Sequence, residues 1–176
     1  MIKAMRGPIG TSGLQKLSMD CCGGILVEIG CFAGESSRVF ADSGRFNRIY
    51  CVDPWSGVAD MELPEICSWY KQYDMNAVER LFDNRMSGCD FVTKMKMSSE
   101  KASREVLDTV DMVYIDAVHT YKGVKHDIEL WQPKIRTGGW ICGHDYSECF
   151  SGVIRAVDEL LGKPMIYEDS SWAVAC

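Results

Sequence analysis

The apolar positions along the chain fall into five short runs that are separated by longer segments of mixed polarity. Each run is rich in aliphatic or β-branched residues, which is typical of strands buried on both faces of a parallel sheet. The runs lie at residues 25–29, 48–52, 91–95, 112–115 and 140–142. The pattern predicts five core strands.

Between these runs, apolar residues recur every three or four positions, which is the period of an amphipathic helix. The stripes consist of Ile66, Trp69, Tyr70, Tyr73, Ala77 and Leu81; of Tyr121, Val124, Ile128 and Trp131; and of Phe150, Val153, Ile154, Val157 and Leu160. Strands that alternate with helices predict a doubly wound α/β fold. Residues 164–167 and 172–174 are two further strand-like runs joined by four polar residues, and they predict a hairpin.

The sequence therefore predicts a Rossmann-like, mostly parallel seven-stranded sheet with helices on both faces and an antiparallel C-terminal hairpin strand. A length of 176 residues suits one domain, which we expect to span residues 1–176. Residues 1–22 are expected to form an N-terminal extension, and residues 54–68 a lid or substrate loop. Within that loop, Trp55 either walls an aromatic or sugar substrate or pins the loop.

The charge balance narrows the class of partner. A net charge of -6 and a pI near 5.1 argue against a general polyanion binder, so a small molecule is favoured over nucleic acid. No apolar run approaches the length of a membrane span, and the first twenty residues do not resemble a secretory signal. We expect a cytoplasmic protein without a membrane partner, and the sequence leaves a homodimer open.

The chain has nine cysteines, and most of them lie inside apolar runs, where a free thiol packs as a small hydrophobe. We interpret them as reduced thiols. A zinc site formed by Cys142, His144 and Cys149 is a weaker alternative, because no CxxC pair accompanies these residues.

A glycine turn follows the first predicted strand and an acid follows the second. Gly30 and Gly34 stand where the backbone must pass close to a ligand, and Asp53 is placed to accept hydrogen bonds from ribose hydroxyls. The spacing of the glycines is wider than in the dinucleotide pattern GxGxxG, which weakens an NAD interpretation. Together these residues predict a site for a nucleoside-containing ligand.

Acids and histidines follow the fourth and fifth predicted strands. Asp116 and His119 come after one, and His144 and Asp145 come after the other. In open α/β sheets ligands bind outside the carboxyl ends of the strands, so this cluster is the candidate active site. Asp116 and Asp145 could share a divalent cation. His119 is either a general base or a structural residue that caps the following helix.

These residues carry a family resemblance that covers nearly the whole chain from about residue 22. The pattern E-x-G-x-x-x-G-x-S at residues 28–36, the acid Asp53 and the turn PKIRTGG resemble the class I S-adenosylmethionine-dependent methyltransferases. The segments IDAVHTY and GGWICGHDY resemble the small-molecule O-methyltransferases of the macrocin and cephalosporin biosynthesis type, methyltransferase family 24, which are related to the catechol O-methyltransferases.

The resemblance implies a cofactor-binding set. Gly30 and Gly34 would line the methionine part of S-adenosylmethionine, and Ser36 would bind its carboxylate. Asp53 would hold the ribose. Glu28 belongs to the same set, where its expected part is to support the glycine turn.

The adenine end of the cofactor is assigned by the same resemblance. Ser98 or Ser99 would approach the adenine, although a serine at this point is also a common helix N-cap, here for a helix starting near Glu100. Asp116 would lie beside the cofactor and also act in catalysis.

The resemblance also implies a metal site and a reaction. Metal-using relatives have ligands at the positions of Asp116, His144 and Asp145, and His144 stands where the catechol-type pattern has an acid. Mg²⁺ or Mn²⁺ is expected, while an imidazole ligand leaves Fe²⁺ and Zn²⁺ open. With Asp116, His119 and His144 as catalytic residues, the expected reaction is metal-assisted methyl transfer to a hydroxyl of a small molecule. The alternatives are a non-haem iron oxygenase and a non-catalytic nucleoside-binding domain.

Overall fold

The computed structural model describes residues 10–56 and 72–176, which contain seven strands in a single sheet. The strands are β1 Gly24–Ile29, β2 Phe46–Val52, β3 Val92–Met95, β4 Val110–Ile115, β5 Ile135–Gly143, β6 Met165–Ile166 and β7 Trp172–Ala175. Their order across the sheet is β3-β2-β1-β4-β5-β7-β6. The neighbours from β3 to β5 run parallel, and β7 lies antiparallel between β5 and β6. The predicted fold class, including the closing hairpin, is confirmed.

In the described ranges, six α-helices cover the two faces of this sheet. They are α1 Ser12–Asp20, α2 Glu35–Asp42, α3 Met75–Met86, α4 Ser99–Glu105, α5 Tyr121–Trp131 and α6 Ser151–Leu160. One apolar cluster joins the sheet to α1, α2 and α3 through residues such as Leu14, Phe40 and Phe82. The other cluster joins it to α4, α5 and α6 through Ala102, Ile128 and Val157. Burial on both faces explains why the central strands are apolar at nearly every position.

Most predicted elements lie within two residues of their observed limits, and two differences have a clear physical reason. β5 begins at Ile135 rather than at Trp140, because its first half carries exposed polar residues and glycines that have no apolar signal. The helix predicted to include Tyr73 begins at Met75, since the Asp74 side chain accepts the Asn76 N–H and caps the helix there. The earlier part of that stripe lies outside the described residues, as do residues 57–68 of the predicted loop.

The described part of the predicted N-terminal extension is a helix packed into the core. Leu14 and Leu17 of α1 are fully buried. The Leu14 N–H donates to Asp169 Oδ2 at 2.8 Å, so the β6–β7 connection caps the helix. Residues 12–20 are therefore part of the same folding unit as the sheet.

Among the described residues, no helix is both long and apolar enough to cross a membrane. The cytoplasmic location stays a prediction.

Candidate active site

The carboxyl ends of β2, β1, β4 and β5 lie side by side, and the backbone ladder continues one residue beyond each strand. The continuing bonds are Gly30 N to Val52 O at 2.9 Å, Asp116 N to Ile29 O at 2.8 Å and His144 N to Ile115 O at 3.1 Å. Polar residues that are far apart in the sequence therefore meet along one edge of the sheet. This edge contains Asp53, Gly30, Asp116 and His144, as the sequence predicts.

Close packing and an unusual backbone conformation make glycine necessary at the turn after β1. Gly30 has φ +90°, and a Cβ added there would lie 2.1 Å from the Asp116 carbonyl oxygen. Gly34 has φ +80° and precedes α2. The turn therefore lies directly against the residue that ends β4.

Asp53 holds this turn and its own loop together. Its Oδ2 accepts the Phe32 N–H at 2.9 Å and its Oδ1 accepts the Trp55 N–H at 2.7 Å. Burial raises the pKa of Asp53, and these backbone donors oppose the rise. A carboxylate has about four acceptor positions, so Asp53 retains capacity for further hydroxyl donors.

Trp55 belongs to the core, and its interpretation as a substrate wall is wrong. Its side chain is 3% exposed, and the indole N–H donates to the Phe32 carbonyl at 2.8 Å. The ring packs on Phe82 at 5.0 Å, with the Lys94 ammonium 5.0 Å from its centroid. The indole pins the start of the loop, which is the alternative that the sequence left open.

Glu28 lies beneath the glycine turn and is fully buried. It accepts hydrogen bonds from the hydroxyls of Ser36 and Ser37, the latter at 2.5 Å, and from the Cys51 thiol at 3.7 Å. Its contacts are those of a residue that supports the start of α2. The direct cofactor roles of Glu28 and Ser36 stay predictions.

The two serines after β3 have different partners. Ser98 is the N-cap of α4 and accepts the Lys101 N–H at 3.3 Å. Ser99 donates to Asp127 Oδ1 at 2.5 Å and accepts the Trp131 indole N–H at 2.9 Å. The capping alternative therefore holds for Ser98, and contact of either serine with adenine stays a prediction.

Asp127 is a buried acid that sequence reasoning missed. Burial raises its pKa to about 6, although the Ser99 hydroxyl and the charge of His126 lower it. The spacing of the apolar residues could have indicated this burial, because Asp127 lies three residues after Val124 and four before Trp131, on the buried face of α5. The neighbouring His126 is exposed.

The acids and histidines after β4 and β5 form one contact group, which we call the acid–histidine cluster: Asp116, His119, His144 and Asp145. His119 Nε2 lies 2.8 Å from Asp145 Oδ2 and 3.9 Å from Asp116 Oδ1. His144 Nδ1 lies 3.1 Å from Asp145 Oδ1. All four side chains are partly exposed, so a ligand at the sheet edge can reach them.

Electrostatics within the cluster favour charged side chains. Burial alone lowers the pKa of His119, but the carboxylates of Asp116 and Asp145 outweigh it and raise the pKa to about 10. Burial likewise raises the pKa of Asp145, but its two histidine partners hold it well below the usual range. The two carboxylates therefore favour the protonated form of the His119 imidazole, and the general-base role of His119 stays a prediction.

Three members of the cluster are placed to hold a cation. Asp116, His144 and Asp145 can each offer a ligand atom, and these atoms all lie within 4.8 Å of one another. A cavity of about 10 Å³ adjoins Asp116, His119 and His144, close to the volume that one water molecule needs. The zinc alternative is not supported, because Cys142 is buried in the core, with its Sγ 3.9 Å from that of Cys21.

Contacts that the sequence pattern does not predict hold the acid–histidine cluster in place. The Trp172 indole N–H donates to the His144 carbonyl at 3.1 Å, and the Phe150 ring lies 4.7 Å from the His119 ring. A Cβ added to Gly152 would lie 2.6 Å from Tyr121 N, so α6 approaches the loop after His119 as closely as the backbone permits. These contacts restrict the positions of the two histidines.

Comparisons with known proteins agree with this geometry. A family model described as a methyltransferase domain matches residues 27–146, more than half of the chain, whereas a comparison with curated protein sequences gives no match. An rRNA methylase structure from Streptococcus thermophilus is 16% identical, with a TM-score of 0.64 over 99% of this chain and 96% of that one. The O-methyltransferase NovP is 16% identical, with a TM-score of 0.64 over 92% and 77%. A TDP-rhamnose 3′-O-methyltransferase of calicheamicin biosynthesis is also 16% identical, with a TM-score of 0.59 over 92% and 75%.

Proposed function

Because the chain belongs to the methyltransferase domain family and so uses S-adenosylmethionine as its methyl donor, we propose that it methylates a hydroxyl group of a small molecule with the help of a divalent cation. The observation that carries the proposal is the acid–histidine cluster beside the glycine turn. Gly30 lies against the Asp116 carbonyl, so the predicted cofactor site and the cluster adjoin.

The residues at the ends of β1 and β2 fit the cofactor. Asp53 has spare acceptor capacity for the ribose hydroxyls, and the turn at Gly30 brings backbone N–H groups close to where the methionine part would lie. S-adenosylmethionine supplies an electrophilic methyl group on a sulfonium sulfur. The chain must then bind the acceptor oxygen in line with that methyl group and make it nucleophilic.

The acid–histidine cluster can stabilise the acceptor oxygen. Asp116, His144 and Asp145 would hold a divalent cation, whose positive charge would supply electrostatic stabilisation for the acceptor oxygen as its proton passes to water. One imidazole and two carboxylates suit Mn²⁺ or Fe²⁺ as well as Mg²⁺. His119, paired with Asp145, would fix the orientation of that carboxylate.

A small acceptor agrees better with the charge of the chain than RNA does. Two of the solved structures named above are O-methyltransferases and one is an rRNA methylase, so the fold alone does not choose between them. The net charge of -6 opposes a phosphate backbone, since RNA binding depends on unpaired basic side chains. Most of the lysines and arginines among the described residues lie within 4.0 Å of a carboxylate oxygen, as Lys94, Arg104 and Arg136 do.

The remaining alternatives are less well supported. An iron oxygenase could use the same ligands, but membership of the methyltransferase family supports methyl transfer instead. A non-catalytic nucleoside-binding domain would have no use for the acid–histidine cluster.

The proposal is tested with radiolabelled S-adenosylmethionine and a panel of hydroxyl acceptors that includes sugars, catechols and ribosomal RNA. We expect transfer to at least one small hydroxyl compound, loss of activity with EDTA and recovery with Mn²⁺ or Mg²⁺. Asp145→Asn should lower kcat by about 100-fold or more. The control Asp90→Asn changes an exposed acid just before β3 and should leave kcat unchanged. Turnover that EDTA does not affect would remove the cation from the proposal, and transfer to RNA alone would replace the acceptor.

A further inference from the structure

The turn between β1 and α2 has an unusual backbone conformation. Phe32 has φ +43°, in the left-handed region that a residue with a side chain seldom occupies, and it lies between two glycines of positive φ, Gly30 and Gly34. The Gly34 N–H donates to the Cys31 carbonyl at 2.7 Å and closes the turn. A strained turn of this kind persists only where the surrounding residues hold it, and such strain is concentrated at functional sites.

Side chains that follow β2 hold one half of this turn, and a side chain of α3 holds the other. Asp53 accepts the Phe32 N–H, and the Trp55 indole donates to the Phe32 carbonyl. At the other half, Arg85 Nη1 donates to the Ala33 carbonyl at 2.6 Å. Arg85 has no part in the proposed reaction, so its contact with the turn needs a separate explanation.

Arg85 also contacts the first turn of α2. Its Nη2 lies 3.4 Å from Glu35 Oε1, and the two side chains are 35% and 18% exposed. Phe82, three residues earlier on α3, packs on the same segment, because a Cβ added to Gly34 would lie 3.0 Å from the Phe82 ring. Helix α3 therefore places an aromatic ring and a cation against the point where the turn becomes α2.

The charge of Arg85 is important because the cofactor is expected to be anionic at this point. The predicted cofactor site places the methionine carboxylate of S-adenosylmethionine at the turn after β1. The carboxylate of Glu35 is a second negative charge at the same turn, and it would repel the cofactor unless a cation offsets it. The Ser36 hydroxyl donates to Glu28 in this structure, so the geometry of the turn backbone decides how well the carboxylate is bound.

We propose that Arg85 is a positioning residue for the methionine end of the cofactor. Its hydrogen bond to the Ala33 carbonyl fixes the peptide group between Ala33 and Gly34, and a charge-assisted bond of this kind is stronger than a neutral one. Its ion pair with Glu35 offsets the negative charge that the cofactor carboxylate would meet. The proposal rests on the predicted cofactor site, and it depends neither on the identity of the acceptor nor on the cation.

Calorimetry with two ligands tests this role. S-adenosylhomocysteine carries the amino-acid carboxylate, whereas methylthioadenosine has the same adenosine and a thioether but lacks the amino-acid part. Arg85→Met should raise the Kd of S-adenosylhomocysteine at least about tenfold, which corresponds to the loss of one charge-assisted hydrogen bond. It should change the Kd of methylthioadenosine by less than about threefold. A residue that only stabilises the fold would affect both ligands alike.

Arg80→Met is the matched control. Arg80 lies on the same helix, but it is 66% exposed and its partner is Asp74 rather than the turn. This variant should leave both dissociation constants unchanged, and circular dichroism checks that each variant is folded. Equal weakening of both ligands by Arg85→Met overturns the proposal, as does unchanged binding of S-adenosylhomocysteine.

The proposed function can fail independently of the role of Arg85. If Arg85→Met weakens only S-adenosylhomocysteine but the wild-type chain transfers no methyl group to any hydroxyl acceptor, the positioning role is supported and the proposed reaction is wrong. A wild-type chain that does not bind S-adenosylhomocysteine overturns both.

Discussion

At the scale of single residues, Asp127 places an ionisable group in the core, and no lysine or arginine of the described ranges forms an ion pair with it. Its carboxyl is 4% exposed and accepts a hydrogen bond from Ser99. The folded pKa of about 6 lies above the reference value of 3.8, so the folded chain holds this proton more tightly than the unfolded chain. The contribution of Asp127 to the free energy of unfolding therefore falls as pH rises from 3.8 to about 6 and stays at the lower level above that.

The substitution Asp127→Asn removes this titration and keeps an acceptor for the Ser99 hydroxyl. We expect the stability of the variant relative to the wild type to increase between pH 4 and pH 7 by roughly 2 to 3 kcal/mol, because a pKa change of about two units corresponds to that free energy. Urea unfolding at a series of pH values measures it. Asp90→Asn, at an exposed acid, should show no such trend, and a constant difference between Asp127→Asn and the wild type would contradict the assignment.

At the scale of elements, the turn between β1 and α2 is the part of the fold where local conformation and the site depend on each other most directly. Gly30 needs both a positive φ and free space next to the Asp116 carbonyl. The pattern of glycines in the sequence predicts the turn. It does not show that the residue packed against it ends β4, because that contact spans more than eighty positions of the chain.

A pair of alanine substitutions separates these two requirements. Gly44 has φ +66° with no atom within 4 Å of an added Cβ, so Gly44→Ala should cost about 1 to 2 kcal/mol of backbone strain alone. Gly30→Ala should cost at least about 2 kcal/mol more, since its Cβ would lie 2.1 Å from Asp116 O. It should also weaken S-adenosylhomocysteine binding. Thermal unfolding and calorimetry measure both effects, and equal losses for the two variants would argue against the close contact.

At the scale of the whole molecule, the predicted cofactor site and the acid–histidine cluster are built from the ends of four strands that fold together. A ligand that binds only the folded chain stabilises it by about 2.7 kcal/mol at a concentration of 100 times its dissociation constant. For a domain of this size each kcal/mol raises the Tm by about 2 to 4 °C. Ligand binding at each of the two sites can therefore be measured separately, as an increase in the Tm of the whole chain.

We expect S-adenosylhomocysteine at that concentration to raise the Tm by about 5 to 10 °C, and Mn²⁺ to add a separate increase. His144→Ala should abolish the increase from Mn²⁺, because it removes one of three ligands, and retain the increase from S-adenosylhomocysteine. Differential scanning fluorimetry with each ligand alone and with both measures this. If His144→Ala still shows the full Mn²⁺ effect, the cation binds elsewhere.

The sequence alone determined the alternation of strands and helices, the closing hairpin and the strand-end positions of Asp53, Asp116 and Asp145. These follow from apolar periodicity, and in a parallel sheet strand ends meet at one edge whatever the details of packing. Only the tertiary structure decided that Trp55 is buried, that the Ser99 hydroxyl donates a hydrogen bond to Asp127 and that His119 pairs with Asp145. Each of these depends on which side chains from distant positions meet in the folded chain, and the pKa of His119 depends on that meeting through the two carboxylates beside it.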